Sequence, residues 1–176
     1  MKRLVAILRD SRGAAAVEMA LVIPILLVLT FGPLELGNYF MSEHALIKGV
    51  RDGATFAAHQ DVSNYDCSGG AGGPYAIADP LRTSIENVVR GGQLTTGNDR
   101  LPNWSSADTT FQATYSCFRQ SADGTALSGI YQLNDGNVPV VTVTATLPYQ
   151  WAVGNVVVPA VGYKLNATQQ ATVLGI

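Results

Sequence analysis

Residues 14–34, AAAVEMALVIPILLVLTFGPL, carry a single charge, Glu18. No other part of the chain restricts its fold so strongly. As an α-helix the run measures about 31 Å, close to the thickness of a bilayer's hydrocarbon core. Such a stretch is expected to be a transmembrane helix. Pro24 is no obstacle, since membrane helices tolerate proline. A secretory signal peptide would have a shorter apolar core and a small-residue cleavage site behind it. This run is longer and ends in FGPLELGNYF, with no A-x-A pattern, so the helix is expected to stay on the protein.

The flanks set the orientation. Residues 1–13, MKRLVAILRDSRG, hold Lys2, Arg3, Arg9 and Arg12 against Asp10 alone. After this leader the acidic groups outnumber the basic ones. The positive-inside rule keeps the leader in the cytoplasm and places everything beyond about Phe40 on the far side. The expected division is a basic cytoplasmic leader, 1–13, a transmembrane helix, 14–36, a helical extension, 37–60, and an exported domain, 61–176.

Composition removes several classes of function. The net charge is −2, which argues against a protein that grips nucleic acid by its phosphates. Charged residues make up 14% of the chain, against an average of about 25%. With 47% hydrophobic residues the chain is too apolar to be disordered. Two cysteines exclude a dense disulfide scaffold and a four-cysteine zinc site. His44 and His59 fit no familiar metal spacing, and no cofactor is expected.

A carboxylate inside an apolar helix is costly and invites a functional reading. Glu18 is the fifth residue after Gly13. The order is basic leader, glycine, a five-residue step to Glu, then apolar helix, which resembles signals cut by prepilin peptidases between Gly13 and Ala14. Cutting there leaves the helix on the mature chain and creates a cationic amine at Ala14. In pilin families the equivalent Glu is thought to neutralise the N-terminal amine of a neighbouring subunit. The plainer reading has Glu18 near the headgroups, reaching water.

The block Arg12, Gly13, Ala14–Ala16, Val17, Glu18, Pro24, Phe31-Gly32, Glu35 and Gly37 resembles the opening of the TadE-like family of pilus-assembly proteins. Met19 departs from the aromatic residue usual there but keeps its bulk and apolarity. The resemblance covers residues 12–40. It implies a minor, pilin-like (pseudopilin) component of a tight-adherence pilus and secretion system. The implied site is the bacterial inner membrane. The implied partners are a prepilin peptidase, other pilin or pseudopilin subunits and further pilus-machine components.

Beyond the membrane, residues 38–60 lack proline. Phe40, Ile47, Val50, Ala54, Ala57 and Ala58 form an apolar stripe at helical spacing. Gly49, Gly53, Ala54 and Ala57 permit close packing. The stripe suits cover for the molecule's own sheet, or a surface for bundling with other subunits. Residues 61–74, rich in glycine, read as a loop. Asp79-Pro80 reads as the start of a short helix, with Asp79 as its N-cap. Leu81, Ile85, Val88 and Val89 form its apolar face, and Gly91-Gly92 its end. Residues 93–108 read as a loop.

The second half reads as strands at 109–120, 126–133, 138–151 and 163–173, with turns at 121–124 and 134–137. The expected fold class is α+β. A long N-terminal transmembrane helix precedes a pilin-like domain with a short helix and a mostly antiparallel four-stranded sheet.

Cys67 and Cys117 fall on the exported side, where an oxidising compartment favours a disulfide. The alternative is a redox or metal pair, for which no CxxC or histidine cluster is at hand. No GxSxG, HExxH or phosphate-binding glycine loop is present. Asp61, Asp66, Asp79, Asp99, Asp108, Asp123 and Asp135 lie in turn-like or cap-like contexts, so no catalytic residue is assigned. Trp151, Val153, Val156–Val158 and Val161 are core or a docking patch. Three readings therefore stand: a processed pilin-like subunit, an uncleaved anchored assembly factor, and an anchored periplasmic enzyme.

Overall fold

The computed structural model describes residues 13–119, 136–152 and 162–175. The turn expected at 121–124, the strand at 126–133, Asp123, Asp135, Val153, Val156–Val158 and Val161 lie outside them. Seven elements are described. They are helix α1 (Ala14–Ala58), a 3-10 turn (Val62–Asn64), strand β1 (Gly72–Ala76) and helix α2 (Leu81–Gly91), followed by strands β2 (Thr110–Arg119), β3 (Asn137–Pro148) and β4 (Lys164–Thr172). The fold is α+β. The described residues form two compact units, one of 13–39 with 151–152, the other of 40–119, 136–150 and 162–175.

The second unit contains the sheet. Its strand order is β1-β2-β3-β4, with every neighbour antiparallel. Strict alternation along β3 buries Val141, Val143, Ala145 and Leu147 and turns Thr142, Thr144 and Thr146 outward. On β2 the buried residues are Ala113, Tyr115 and Cys117. The cross-strand partners Tyr115↔Val141 and Ala113↔Val143 share one face, as the two-residue period of a strand demands.

Of the four strands, β1 departs from the sequence reading, which made residues 61–74 a loop. Gly72, Gly73 and Pro74 look like breakers, yet they form an edge strand. Proline is tolerated at an edge because its missing N–H can face solvent. The pairing with β2 is irregular between Gly72 and Tyr75. Gly73 takes φ 124°, and a Cβ there would strike Ser116, so glycine is required by both backbone and space.

Helix α2 ends at Gly91, with Gly92 left-handed at φ 74° and its N–H bonded to Val88 O. That is the usual role of glycine behind a helix. Its start differs from expectation. The residue at the boundary is Pro80, and Asp79 caps no N–H; Asp79 Oδ1 instead accepts from Thr83 Oγ1 at 2.8 Å. Ile85, Val88 and Val89 are buried, while Leu81 is half-buried.

The buried face of α1 within this unit comprises Leu46, Gly49, Val50, Gly53, Ala54, Ala57 and Ala58. Phe40 and Ile47, assigned to the stripe from spacing, are 49% and 43% exposed. The buried arc is rotated toward the glycines because α2 approaches there. A Cβ on Gly49 would lie 2.5 Å from Val89 O, and one on Gly53 would strike Val89 Cγ2. Arg100 reinforces this corner by pairing with Asp52 at 2.8 Å. Arg90 binds Asp99 through two hydrogen bonds of 2.9 and 3.0 Å, which fixes residues 93–108 against α2.

Tyr65 closes the end of α1. It is fully buried and its hydroxyl donates to Ala57 O at 2.7 Å. Burial pushes its pKa above the ordinary value of 10.0, because the phenolate is disfavoured away from water. The folded pKa exceeds the unfolded one. The associated stability is therefore complete below about pH 10 and is lost as pH rises beyond it. Tyr65→Phe is expected to lose about 1 kcal/mol at neutral pH and to flatten that alkaline decline. Denaturant midpoints of both proteins at neutral and alkaline pH check this; equal alkaline slopes would contradict it.

Candidate processing and anchoring segment

Helix α1 begins at Ala14, directly after Gly13. Gly13 is exposed, and its carbonyl accepts from Val17 N at 3.2 Å, opening the helical hydrogen-bond ladder. Glu18 stands one turn beyond Ala14 and is exposed. The structure thus brings Gly13, Ala14 and Glu18 together at one helix end.

Beyond Glu18 the helix is apolar on every side. Met19 is 57% exposed and Leu29 65%, and the large side chains between them are also exposed. A helix that is apolar all round suits a membrane or the core of a large protein. Among the described residues α1 is the one helix long and apolar enough to cross a membrane. No charge intervenes between Glu18 and Glu35, which stand about 25 Å apart along a helix. The one hydroxyl in this interval, on Thr30, donates to Leu26 O at 2.7 Å. Its polarity is thereby absorbed by the helix, as a hydrocarbon environment requires. Pro24 and Pro33 both lie inside the helix.

Glu35 has a partner that sequence reasoning did not supply: Ala152 N donates to Glu35 Oε1 at 3.1 Å. A contact across so many intervening residues leaves no local signal in the sequence. It gives the second carboxylate of α1 a structural task in holding the chain beyond β3.

In the other unit, Cys67 and Cys117 are joined by a disulfide with Cα atoms 5.6 Å apart. Both are buried. Three groups surround the cross-link. Asn137 Nδ2 donates to Cys67 O at 3.1 Å. Tyr115 Oη donates to Asp66 O at 3.3 Å. The Tyr65 and Tyr115 rings meet edge to face, 5.5 Å between centroids. The sequence reading placed Asn137 in a turn signal and missed this contact.

Two aspartates of this unit, Asp61 and Asp66, bond to serines two residues on. Asp61 Oδ1 accepts from Ser63 N at 2.8 Å, which holds its carboxyl below the usual carboxylate range. Asp66 Oδ1 accepts from Ser68 Oγ at 2.7 Å and Ser68 N at 3.0 Å, with the same downward effect. Both prefer the ionised, accepting state, the opposite of what a general acid at neutral pH requires.

The leading segment decides the comparison with known proteins. Residues 13–55 match the TadE-like protein family. The match starts at Gly13, includes Glu18 and Glu35, and runs on into the part of α1 that carries Gly49 and Gly53. The matched segment lies almost wholly in α1, the described helix that is long and apolar enough to cross a membrane. No curated protein and no solved structure matches the chain.

Proposed function

We propose that the protein is a pilin-like subunit of a Tad-type pilus machine, anchored in the inner membrane by α1 and cut by a prepilin peptidase between Gly13 and Ala14. The observation that carries the reading is the order at the start of the TadE-like segment. A basic leader ends at an exposed glycine, the helix starts at once, and a carboxylate lies one turn in. Cleavage there releases the basic residues that hold the leader in the cytoplasm and keeps the whole helix. The freed amine of Ala14 is then a cation for which Glu18 of a neighbouring subunit is the natural partner in a low-dielectric bundle. The domain beyond the membrane is periplasmic, where a Cys67–Cys117 disulfide is stable. It contacts other pilus-machine components.

Intact mass of the protein from its native membrane, with fragment spectra of its N-terminus, tests the cleavage. The expected mature chain begins at Ala14. A chain still beginning at Met1 would replace this reading with an uncleaved anchored assembly factor. Glu18→Ala is then expected to abolish fibre assembly while leaving cleaved protein in the membrane. Fibres at normal abundance in that variant would remove Glu18 from subunit pairing.

A further inference from the structure

The charge-free run of α1 ends at Glu35, and another part of the chain meets the helix there. Ala152 N donates to Glu35 Oε1 at 3.1 Å, and residues 151–152 belong to the same compact unit as 13–39. The bond sets Trp151 and Ala152 at the level where the apolar part of α1 gives out. Trp151 is half-buried and Ala152 exposed. The sequence that starts here is as apolar as the helix. Residues 151–161 read WAVGNVVVPAV, without a charge and with Asn155 as the one amide side chain. The chain comes back at Tyr163, which is 51% exposed and whose carbonyl accepts from Tyr149 N at 2.9 Å. The excursion therefore leaves and returns at one point, with Trp151 and Tyr163 at its two ends.

Length and attachment say where such a segment belongs. An apolar run of about 10–14 residues is too short to cross a bilayer; it suits a protein core or an interfacial, re-entrant position in a membrane. The point of attachment selects the second. The run starts from an exposed residue bonded to α1, beside Leu34 and Leu36, which are 61% and 55% exposed. Tryptophan and tyrosine concentrate where hydrocarbon meets headgroups, and here they flank the run on both sides. Backbone N–H groups outside a helix or strand also need an acceptor at that depth, where water is scarce. Glu35 supplies one to Ala152, and a carboxylate is a stronger acceptor than a neutral group. The carboxylate thus has a reason to stand at the end of the apolar helix, within reach of water and of the incoming chain.

We propose that Trp151 and Ala152 mark a second membrane contact, at which the chain dips its apolar stretch into the leaflet nearest Glu35, with Trp151 at the headgroup boundary. This rests on the anchoring of α1 in a membrane, but not on cleavage after Gly13. The test is tryptophan quenching of the full chain in phosphatidylcholine vesicles whose acyl chains carry bromine. The chain has two tryptophans, and Trp104 is buried in the sheet-bearing unit, so Trp104→Phe leaves Trp151 as the sole reporter. Bromine near the headgroup end of the acyl chain is expected to quench Trp151 more strongly than bromine near the methyl end. Leu27→Trp, added to a chain with both native tryptophans changed to Phe, reports on α1 midway between Glu18 and Glu35 and is expected to show the reverse order. Val157→Asp, in the Trp104→Phe chain, puts a charge into the apolar stretch and is expected to lower the quenching of Trp151 about twofold. Leu94→Asp, at an exposed position in the loop beyond α2, leaves it unchanged. An unquenched Trp151 beside a quenched Leu27→Trp overturns the proposal while the anchor stands, and gives the stretch to a protein partner instead. Quenching of Trp151 that Val157→Asp does not lower also overturns it. If neither reporter is quenched, the anchor fails and the second contact fails with it.

Discussion

Replacing both Cys67 and Cys117 with alanine is expected to lower the stability of the sheet-bearing unit by about 4 kcal/mol, the largest effect of any change considered. The two cysteines are 50 residues apart in sequence. Without the bond, the unfolded chain regains the freedom of a loop of that length. The folded protein has little to set against this. Residues 66–71 have no regular structure, and all five residues of β1 are exposed. Gly72 pairs directly with Cys117, so the cross-link grips the sheet where β1 joins it. The contacts that remain are single hydrogen bonds, such as Asn137 to Cys67 O and Tyr115 to Asp66 O, each worth about 1 kcal/mol. Denaturant unfolding of the detergent-solubilised full chain, followed by a probe within the sheet, measures the change. Reductant is expected to shift the wild-type midpoint toward that of the double variant and to leave the variant unmoved. A midpoint unaffected by either treatment would deprive the bond of its role.

The parts of the fold legible in the sequence are those where one face of a regular element is buried. The alternation VVTVTAT in β3 states its own register. The spacing of Ile85, Val88 and Val89, closed by Gly91-Gly92, states α2. The apolar run with Glu18 at its head states the anchor. Other features depend on what lies opposite. Gly72-Gly73-Pro74 becomes a strand only because β2 offers an edge, and no local pattern announces that. The buried side of α1 passes through Leu46 and Gly49 rather than Phe40 and Ile47, because two glycines let α2 in closer than larger side chains elsewhere on the helix permit. Asn137 reads as a turn residue until Cys67 is placed beside it. Glu35 and Ala152 are too far apart in sequence for any periodicity to pair them. The processing site is the reverse case. Gly13, Ala14 and Glu18 are consecutive or nearly so, so their juxtaposition needs no tertiary structure.

Gly53→Leu is expected to destabilise the same unit by about 3 kcal/mol, the upper part of the range for overpacked sites. A Cβ at this position already strikes Val89 Cγ2 and comes within 3.5 Å of Ile85 Cγ2 and Ile85 O. A leucine adds three more carbons toward a backbone that is itself hydrogen-bonded within α2, so the helices must separate. Separation uncovers Val50, Ala54, Ile85 and Val89, all at most 2% exposed. Gly49→Ala is the more discriminating companion. In an isolated helix it would gain about 1 kcal/mol. Here its methyl would lie 2.5 Å from Val89 O, a carbonyl that cannot rotate away as a side chain can. The net effect is expected to be a loss of about 1–2 kcal/mol, opposite in sign to helix propensity. Denaturant midpoints of the two variants, set beside Gly37→Ala, decide the matter. Gly37 has nothing within 4 Å of its would-be Cβ and supplies the propensity term alone. If Gly49→Ala proves as stable as Gly37→Ala, the close approach of α1 and α2 is not what the glycines are there to permit.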